Sequence, residues 1–122
     1  MPKTILCVDD ETSLLRMLAL FLAGNGYRVL EAADGGEGLK RLQGETADLV
    51  ITDLNMPGMD GLAFIRALRR SPAHRPLPIL VLSAAYGDAR AEAMEAGATA
   101  WIAKPVQPEH LLALVAAHLR TA

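Results

Sequence analysis

The chain has one cysteine, no block of basic residues and no long apolar run, and each absence excludes a class of protein. Cys7 cannot form an internal disulfide, and its position in an apolar run predicts a buried, reduced thiol. The formal net charge is −2 with Lys and Arg dispersed, which argues against direct binding to nucleic acid or an anionic membrane surface. No stretch approaches the roughly 20 apolar residues of a membrane span. We therefore expect a cytoplasmic protein with no membrane insertion.

The composition is that of one folded domain. Hydrophobic residues make up 52% of the 122 residues and charged residues 21%, which predicts a packed core rather than disorder. This length suits a single domain, so we expect residues 1–122 to form one unit.

Short apolar runs alternate five times with longer segments of helical periodicity. The runs are apolar throughout, which is typical of parallel strands covered on both faces. The pattern predicts an α/β fold: a doubly wound, five-stranded parallel sheet with helices on both faces. The predicted strands are Thr4–Val8, Tyr27–Ala32, Asp48–Thr52, Pro78–Leu82 and Ala100–Ala103, and the predicted helices are Thr12–Ala23, Gly35–Leu42, Gly61–Arg70, Asp88–Ala96 and Pro108–Arg120.

Polar residues follow four of the five predicted strands. In a sheet of this kind, ligands bind beyond the carboxyl ends of the strands. Each such residue alone has an ordinary explanation as a cap, a turn or a surface charge. Together they would place three carboxylates, a hydroxyl and an ammonium at one edge: Asp9, Asp10, Asp53, Ser83 and Lys104.

This set of groups suits magnesium and phosphoryl transfer. Three carboxylates repel one another unless a cation intervenes, and Mg²⁺ prefers oxygen ligands while keeping sites for water and phosphate oxygens. A carboxylate can also act as a nucleophile toward phosphorus. Lys104 would offer charge to a phosphoryl oxygen, and Ser83 would donate a hydrogen bond to another.

The same residues resemble the receiver domain of two-component response regulators over essentially the whole chain. The resemblance is carried by Ile5–Glu11, Asp48–Gly61, Pro78–Ala84, Ala96–Ala98 and Ile102–Pro105, in that order. It implies the flavodoxin-like strand order 2-1-3-4-5. It also implies a phosphoacceptor switch rather than an enzyme, with only self-phosphorylation and self-dephosphorylation activity and no turnover of an external substrate.

The resemblance implies a role for each residue of the set. Asp53 would take the phosphoryl group from a histidine kinase or a histidine phosphotransfer protein. Asp10 and Asp53 would bind Mg²⁺ directly, Asp9 would act largely through water, and the backbone carbonyl of Asn55 would complete the ligands. Lys104 would pair with the phosphoryl group, its bond to the following proline being cis. Ser83 would move toward the phosphoryl group and change the packing near the fourth and fifth strands.

The sequence departs from the family pattern at the expected switch. The family usually has Tyr or Phe three residues before the lysine, where this chain has Trp101. A half-buried packing residue is the alternative interpretation of Trp101, and Tyr86 is a second candidate for the switch. The segment between Ser83 and Lys104 is about one residue shorter than is common, so we expect a short, shifted or frayed fourth helix.

The first predicted helix is unusually apolar. Its core face is predicted to comprise Leu14, Met17, Leu18, Phe21 and Leu22. The remaining apolar residues, Leu15, Ala19 and Leu20, would then form a docking patch for the phosphodonor.

Two other functions remain open at this stage. A Mg²⁺-dependent phosphohydrolase would use Asp53 as nucleophile, but such enzymes usually carry a second acid two residues on, where this chain has Asn55. A degenerate receiver would act only as a scaffold, but the set of polar residues is complete. The downstream effector is not identified by the sequence, and a phosphorylation-dependent dimer is one expected assembly.

Overall fold

The computed structural model describes residues 2–56, 58–85 and 87–119, in which strands and helices alternate strictly. The strands are β1 (Thr4–Val8), β2 (Arg28–Ala32), β3 (Leu49–Thr52), β4 (Ile79–Ser83) and β5 (Ala100–Ala103). The helices are α1 (Thr12–Gly24), α2 (Gly35–Gly44), α3 (Gly61–Arg70), α4 (Ala89–Ala96) and α5 (Pro108–Leu119).

The five strands form one parallel sheet in the order β2-β1-β3-β4-β5, which confirms the predicted class and winding. Every residue of β1, β3 and β4 is buried, whereas the edge strands β2 and β5 carry exposed and half-buried positions. Burial on both faces explains why the central strands are apolar throughout rather than alternating.

The sheet separates two hydrophobic cores, because successive strand residues point to opposite faces. On one face, Ile5 and Ile51 pack with α1 and α5. On the other, Leu6 and Val50 pack with α2, α3 and α4 through residues such as Phe64. The helices therefore cover both faces, as a doubly wound sheet requires.

The predicted boundaries are accurate to within about two residues. Tyr27, Asp48 and Pro78 precede their strands rather than belonging to them, and Ser83 is the last residue of β4. Helix α4 is short and begins one residue later than predicted. In α5, the predicted end at Arg120 lies outside the described residues.

The predicted core face of α1 was partly wrong. Leu15 is buried at 7% exposure and packs with Leu18 and Leu22 against the sheet, so it belongs to no docking patch. Met17, which was assigned to the core, is 43% exposed, and Leu20 is 68% exposed. The apolar residues of α1 extend beyond the face that meets the sheet, so their spacing alone could not select the buried ones.

The only cysteine of the chain is fully buried in the core beside α1, as predicted. Burial, with smaller contributions from Glu31 and Asp9, raises the pKa of the Cys7 thiol to about 12. The thiolate that reacts with electrophiles is therefore scarce at neutral pH. Within the described ranges, no helix has the length and apolar character needed to cross a membrane.

The corrected face of α1 predicts opposite outcomes for two substitutions. Leu15→Asp should lower the free energy of unfolding by about 3 kcal/mol or more, because it places a carboxylate in the core. Leu20→Asp should change it by less than about 1 kcal/mol, because that side chain faces solvent. Urea denaturation followed by circular dichroism measures both, and equal losses would contradict the assignment.

Candidate functional site

Backbone hydrogen bonds place Asp9 and Asp53 side by side at the carboxyl edge of the sheet. The Asp9 N–H donates to the Ala32 carbonyl at 3.1 Å, and the Asp53 N–H donates to the Val8 carbonyl at 3.0 Å. Each aspartate thus continues the strand ladder by one residue. The two side chains are held by the sheet itself rather than by loops.

Asp53 is buried, and its carboxylate has two hydrogen-bond donors. The N–H of Leu54 donates to Oδ1 at 2.6 Å, and Lys104 Nζ donates to Oδ2 at 3.0 Å. The backbone is restrained as well, since the hydroxyl of Thr52 donates to the Asp53 carbonyl oxygen at 2.9 Å. The carboxylate is therefore oriented before any ligand arrives.

Lys104 joins the two buried aspartates. Its Nζ lies 3.0 Å from Asp9 Oδ2 and 3.0 Å from Asp53 Oδ2. The lysine follows the edge strand β5, and its own N–H donates to the Ser83 carbonyl at 3.0 Å. The Lys104–Pro105 peptide bond is cis, which confirms that expectation.

Asp10 completes a cluster of three carboxylates with Asp9 and Asp53. One carboxylate oxygen from each lies within 4.8 Å of the others. Asp9 also accepts a hydrogen bond from the Glu11 N–H at 2.9 Å, whereas Asp10 is exposed and has no side-chain partner among the described residues. An all-oxygen set of this size fits a hard divalent cation such as Mg²⁺.

The surroundings of the site raise the pKa values of Asp9 and Lys104. Burial raises the pKa of Asp9, with a further contribution from Asp53, and this outweighs the hydrogen bonds from Glu11 and Lys104. Burial alone would lower the pKa of Lys104, but its bonds to Asp53 and Asp9 outweigh it and raise that pKa. The ammonium is thus held in its charged form.

Ser83 ends β4 with a fully buried side chain. Its Oγ accepts a hydrogen bond from the Ala85 N–H at 3.1 Å, which ties the start of the following loop to the strand end. The hydroxyl retains its own proton for donation elsewhere.

Gly61 is a residue whose importance the sequence analysis missed. It is the first residue of α3, and a Cβ at this position would collide with the Asp53 carbonyl oxygen and lie 2.6 Å from Leu54 Cα. Its N–H donates to the Leu54 carbonyl at 2.8 Å. The start of α3 therefore packs directly against the backbone of Asp53. No spacing pattern in the sequence indicates this contact.

Asn55 and Trp101 lie among the described residues, but the structure does not test their predicted roles. Asn55 is exposed two residues beyond Asp53, and the role of its carbonyl as a ligand stays a prediction. Trp101 is half-buried and packs against the core beside α2, α3 and α4, a position that leaves its role as a switch a prediction. Tyr86 and Pro57 lie outside the described residues.

Comparison with known proteins identifies the family. The model of the response regulator receiver domain matches residues 5–116. The chain belongs to this family. This receiver domain is 37% identical over 123 residues to the response regulator GtcR of Aneurinibacillus migulanus, covering all of the chain and 50% of that protein. It is 33% identical over 121 residues to the phosphate regulon transcriptional regulatory protein PhoB of Escherichia coli, covering 98% of the chain and 53% of that protein.

Solved structures agree with the observed winding. The receiver domain matches the chemotaxis response regulator CheY4 of Vibrio cholerae with a TM-score of 0.91 and 37% identity, covering 98% of this chain and 100% of that one. A putative response regulator from Chloroflexus aurantiacus matches with a TM-score of 0.92 and 38% identity, covering 98% of each chain. The chain spans about half the length of GtcR and PhoB.

The raised pKa of Asp9 predicts how Asp9→Asn changes stability in the presence of a chelator. The folded receiver keeps the Asp9 proton to higher pH than the unfolded chain, so the wild type loses stability as pH rises from about 4 through the raised pKa. Asp9→Asn has no such proton to lose. Its free energy of unfolding relative to the wild type should therefore increase across that window and level off above it.

Urea denaturation at a series of pH values measures this difference. Glu109→Gln, which removes an exposed carboxylate of α5, is the matched control for the loss of one negative charge. A relative stability of Asp9→Asn that falls with rising pH would contradict the direction of the Asp9 shift.

Proposed function

We propose that this receiver domain accepts a phosphoryl group on Asp53, in a Mg²⁺-dependent reaction, from a histidine kinase or a histidine phosphotransfer protein. The supporting observation is the contact of Lys104 Nζ with both Asp9 and Asp53, 3.0 Å from each. It gathers a nucleophile, a countercharge and a carboxylate cluster at one edge of the sheet. The proposal extends the receiver over residues 1–122.

The charge of the site supports the choice of a divalent ion. Three carboxylates and one ammonium give the site a net charge of −2 when all four groups are ionised. Asp10, Asp53 and the carbonyl of Asn55 would hold Mg²⁺ directly, and Asp9 largely through water. When bound, the ion would supply positive charge to the carboxylates and to phosphoryl oxygens.

The chain's own residues then account for the transfer. An Asp53 carboxylate oxygen attacks phosphorus, the bond from phosphorus to the donor's histidine nitrogen breaks, and the imidazole leaves with that electron pair. Lys104 shifts its hydrogen bond from Asp53 toward a phosphoryl oxygen and compensates the new charge. The N–H of Leu54 keeps the carboxyl group oriented.

Ser83 connects this chemistry to a conformational switch. Its hydroxyl proton is available to a phosphoryl oxygen, while its Oγ holds the Ala85 N–H in the present state. Movement of Ser83 toward the phosphoryl group would release or redirect that bond. The equilibrium between conformations of the β4–α4 loop would shift as a result, and a partner or an output domain would respond.

The proposal includes a cytoplasmic location and a docking surface on α1. The large exposed apolar side chains of α1 are those of Leu20 and Met17. Both lie on the helix that follows Asp9 and Asp10. A phosphorylation-dependent dimer would be one form of the output.

A phosphohydrolase is less well supported than a receiver. Asn55 occupies the position where such enzymes usually carry a second acid, and it offers no carboxylate to activate water. The family match also describes a signalling module rather than a catalytic family.

Acetyl phosphate should modify the receiver once per chain in the presence of Mg²⁺. Intact mass spectrometry should show the gain of one phosphoryl group, because the Leu54 N–H and Lys104 both orient the Asp53 carboxylate. Chelation of Mg²⁺ should abolish the gain. Asp53→Asn should abolish it as well, and Asp48→Asn, which removes a carboxylate away from the site, is the matched control.

Two outcomes would contradict the proposed function. Multiple turnover of acetyl phosphate at a rate far above the loss of the modified species would indicate a phosphohydrolase. A complete lack of modification by acetyl phosphate and of any response to beryllofluoride would indicate a scaffold.

Leu20→Asp should slow phosphoryl transfer from a cognate phosphodonor protein about tenfold, because a charge replaces an exposed apolar contact. Modification by acetyl phosphate should be unchanged. Rapid-quench transfer assays with both donors measure the difference, and Ala117→Asp, at an exposed position near the far end of α5, is the control. Equal loss with both donors would place the effect at the reaction site and exclude a docking role for Leu20.

A further inference from the structure

Arg69 connects three segments that are distant from the reaction site. Its Nε donates to the Gly97 carbonyl at 2.9 Å, and its Nη1 donates to the carbonyls of His74 at 3.2 Å and Arg75 at 2.8 Å. Burial lowers the pKa of Arg69, yet an arginine remains charged at neutral pH. A partly buried cation with carbonyl acceptors on two sides is a built contact rather than a solvated surface charge.

The contact with Gly97 is close as well as hydrogen-bonded. Gly97 ends α4 with a φ of 122°, and its N–H donates to the Ala93 carbonyl at 3.2 Å and to the Met94 carbonyl at 3.1 Å. A Cβ at Gly97 would lie 2.6 Å from Arg69 Cγ and 3.0 Å from Nε. The side chain of Arg69 therefore lies against the very residue that terminates α4.

Among the described residues, the opposite end of α4 has no comparable side-chain hydrogen bond. Asp88 precedes the helix without making a side-chain capping bond, whereas Asp34 caps α2 and Asp60 caps α3. Within α4, Ala93 is the one residue that is buried. An uncapped helix with so little buried surface opens at low cost, and it opens first at its unsupported end.

We propose that Arg69 is a positioning residue that anchors the C-terminal end of α4 to α3, so that phosphorylation rearranges the N-terminal turn of α4 alone. Helix α3 begins on the backbone of Asp53 at Gly61 and carries Arg69 near its other end. The free end of α4 follows the Ser83–Ala85 hydrogen bond. The anchor follows from the contacts of Arg69, whereas the response to phosphorylation rests on the function proposed above.

The geometry makes specific demands on the side chain at position 69. A guanidinium presents its donors in a planar fork that can reach carbonyls on two sides, and a lysine ammonium on the same stem cannot reproduce that arrangement. Arg66 and Arg70 lie on the same helix, are exposed, and have no side-chain hydrogen bond or ion pair within the described ranges. They provide matched controls for charge and helix position.

Amide hydrogen exchange of the receiver without any phosphoryl mimic tests the anchor by itself. Arg69→Met removes the hydrogen bond from Arg69 Nε to the Gly97 carbonyl, which holds this helix end. The amides of Gly97 and Ala98 should therefore exchange roughly tenfold faster or more. Arg66→Met and Arg70→Met should leave these rates within about twofold of the wild type. This arm does not depend on phosphorylation.

Addition of Mg²⁺ and beryllofluoride, a mimic of the phosphoryl group, tests whether the rearrangement is limited to the N-terminal turn of α4. In the wild type, exchange should change at residues 87–91 and stay nearly constant at residues 95–98. In Arg69→Met, the change should extend through residue 98. If beryllofluoride changes nothing anywhere and acetyl phosphate adds no mass, the phosphoacceptor function fails while the first arm still decides the anchor.

Three results would overturn the inference. The first is an acceleration in Arg69→Met that is uniform across β3 and α4, which would indicate only a general loss of stability. The second is an equal local effect in Arg66→Met. The third is a wild-type response that spreads evenly along α4. Should Arg69→Met fail to fold, Arg69→Lys keeps the stem and charge, and its local acceleration at Gly97 and Ala98 decides the same point.

Discussion

The ammonium of Lys104 holds two buried carboxylates together, and the geometry of the whole carboxyl edge depends on this contact. Asp9 and Asp53 come from neighbouring strands and would repel each other without an intervening cation. The lysine reaches them from β5, at the edge of the sheet. The contact therefore depends on the strand order, because the order places β5 close enough for Lys104 to extend across β4 to the two aspartates.

Such an arrangement is not favoured by stability alone. Burying charged groups costs solvation energy, and a buried ion pair often contributes no more than an apolar replacement would. The raised pKa of Asp9 records part of that cost. The charged groups at this edge of the sheet therefore lower the stability of the fold, and they provide oriented ligands for a cation and a phosphoryl group.

The fold and the convergence of Asp9, Asp53 and Lys104 could be predicted because both follow from one rule. Buried parallel strands read as short apolar runs, and the polar residues that follow them meet at one edge. The details depended on packing that leaves no trace in spacing. Leu15 and Met17 are both apolar residues of the same helix, and the sheet decides which one it covers.

Contacts between distant segments were equally hidden. Lys104 was expected to face a phosphoryl group, but its bridge between Asp9 and Asp53 depends on side-chain positions. Arg69 has the sequence pattern of an ordinary basic residue in the last turn of a helix. Its contact with Gly97 joins residues 28 positions apart, and no pattern within α3 indicates it.

The buried thiol of Cys7 has a practical consequence for following motions in this protein. It is the only cysteine of the chain, it is fully covered, and its pKa of about 12 keeps it protonated. Thiol-directed alkylating probes therefore have no competing native thiol while the protein is folded. A cysteine introduced on an exposed position could carry a fluorophore or spin label without first removing the native one.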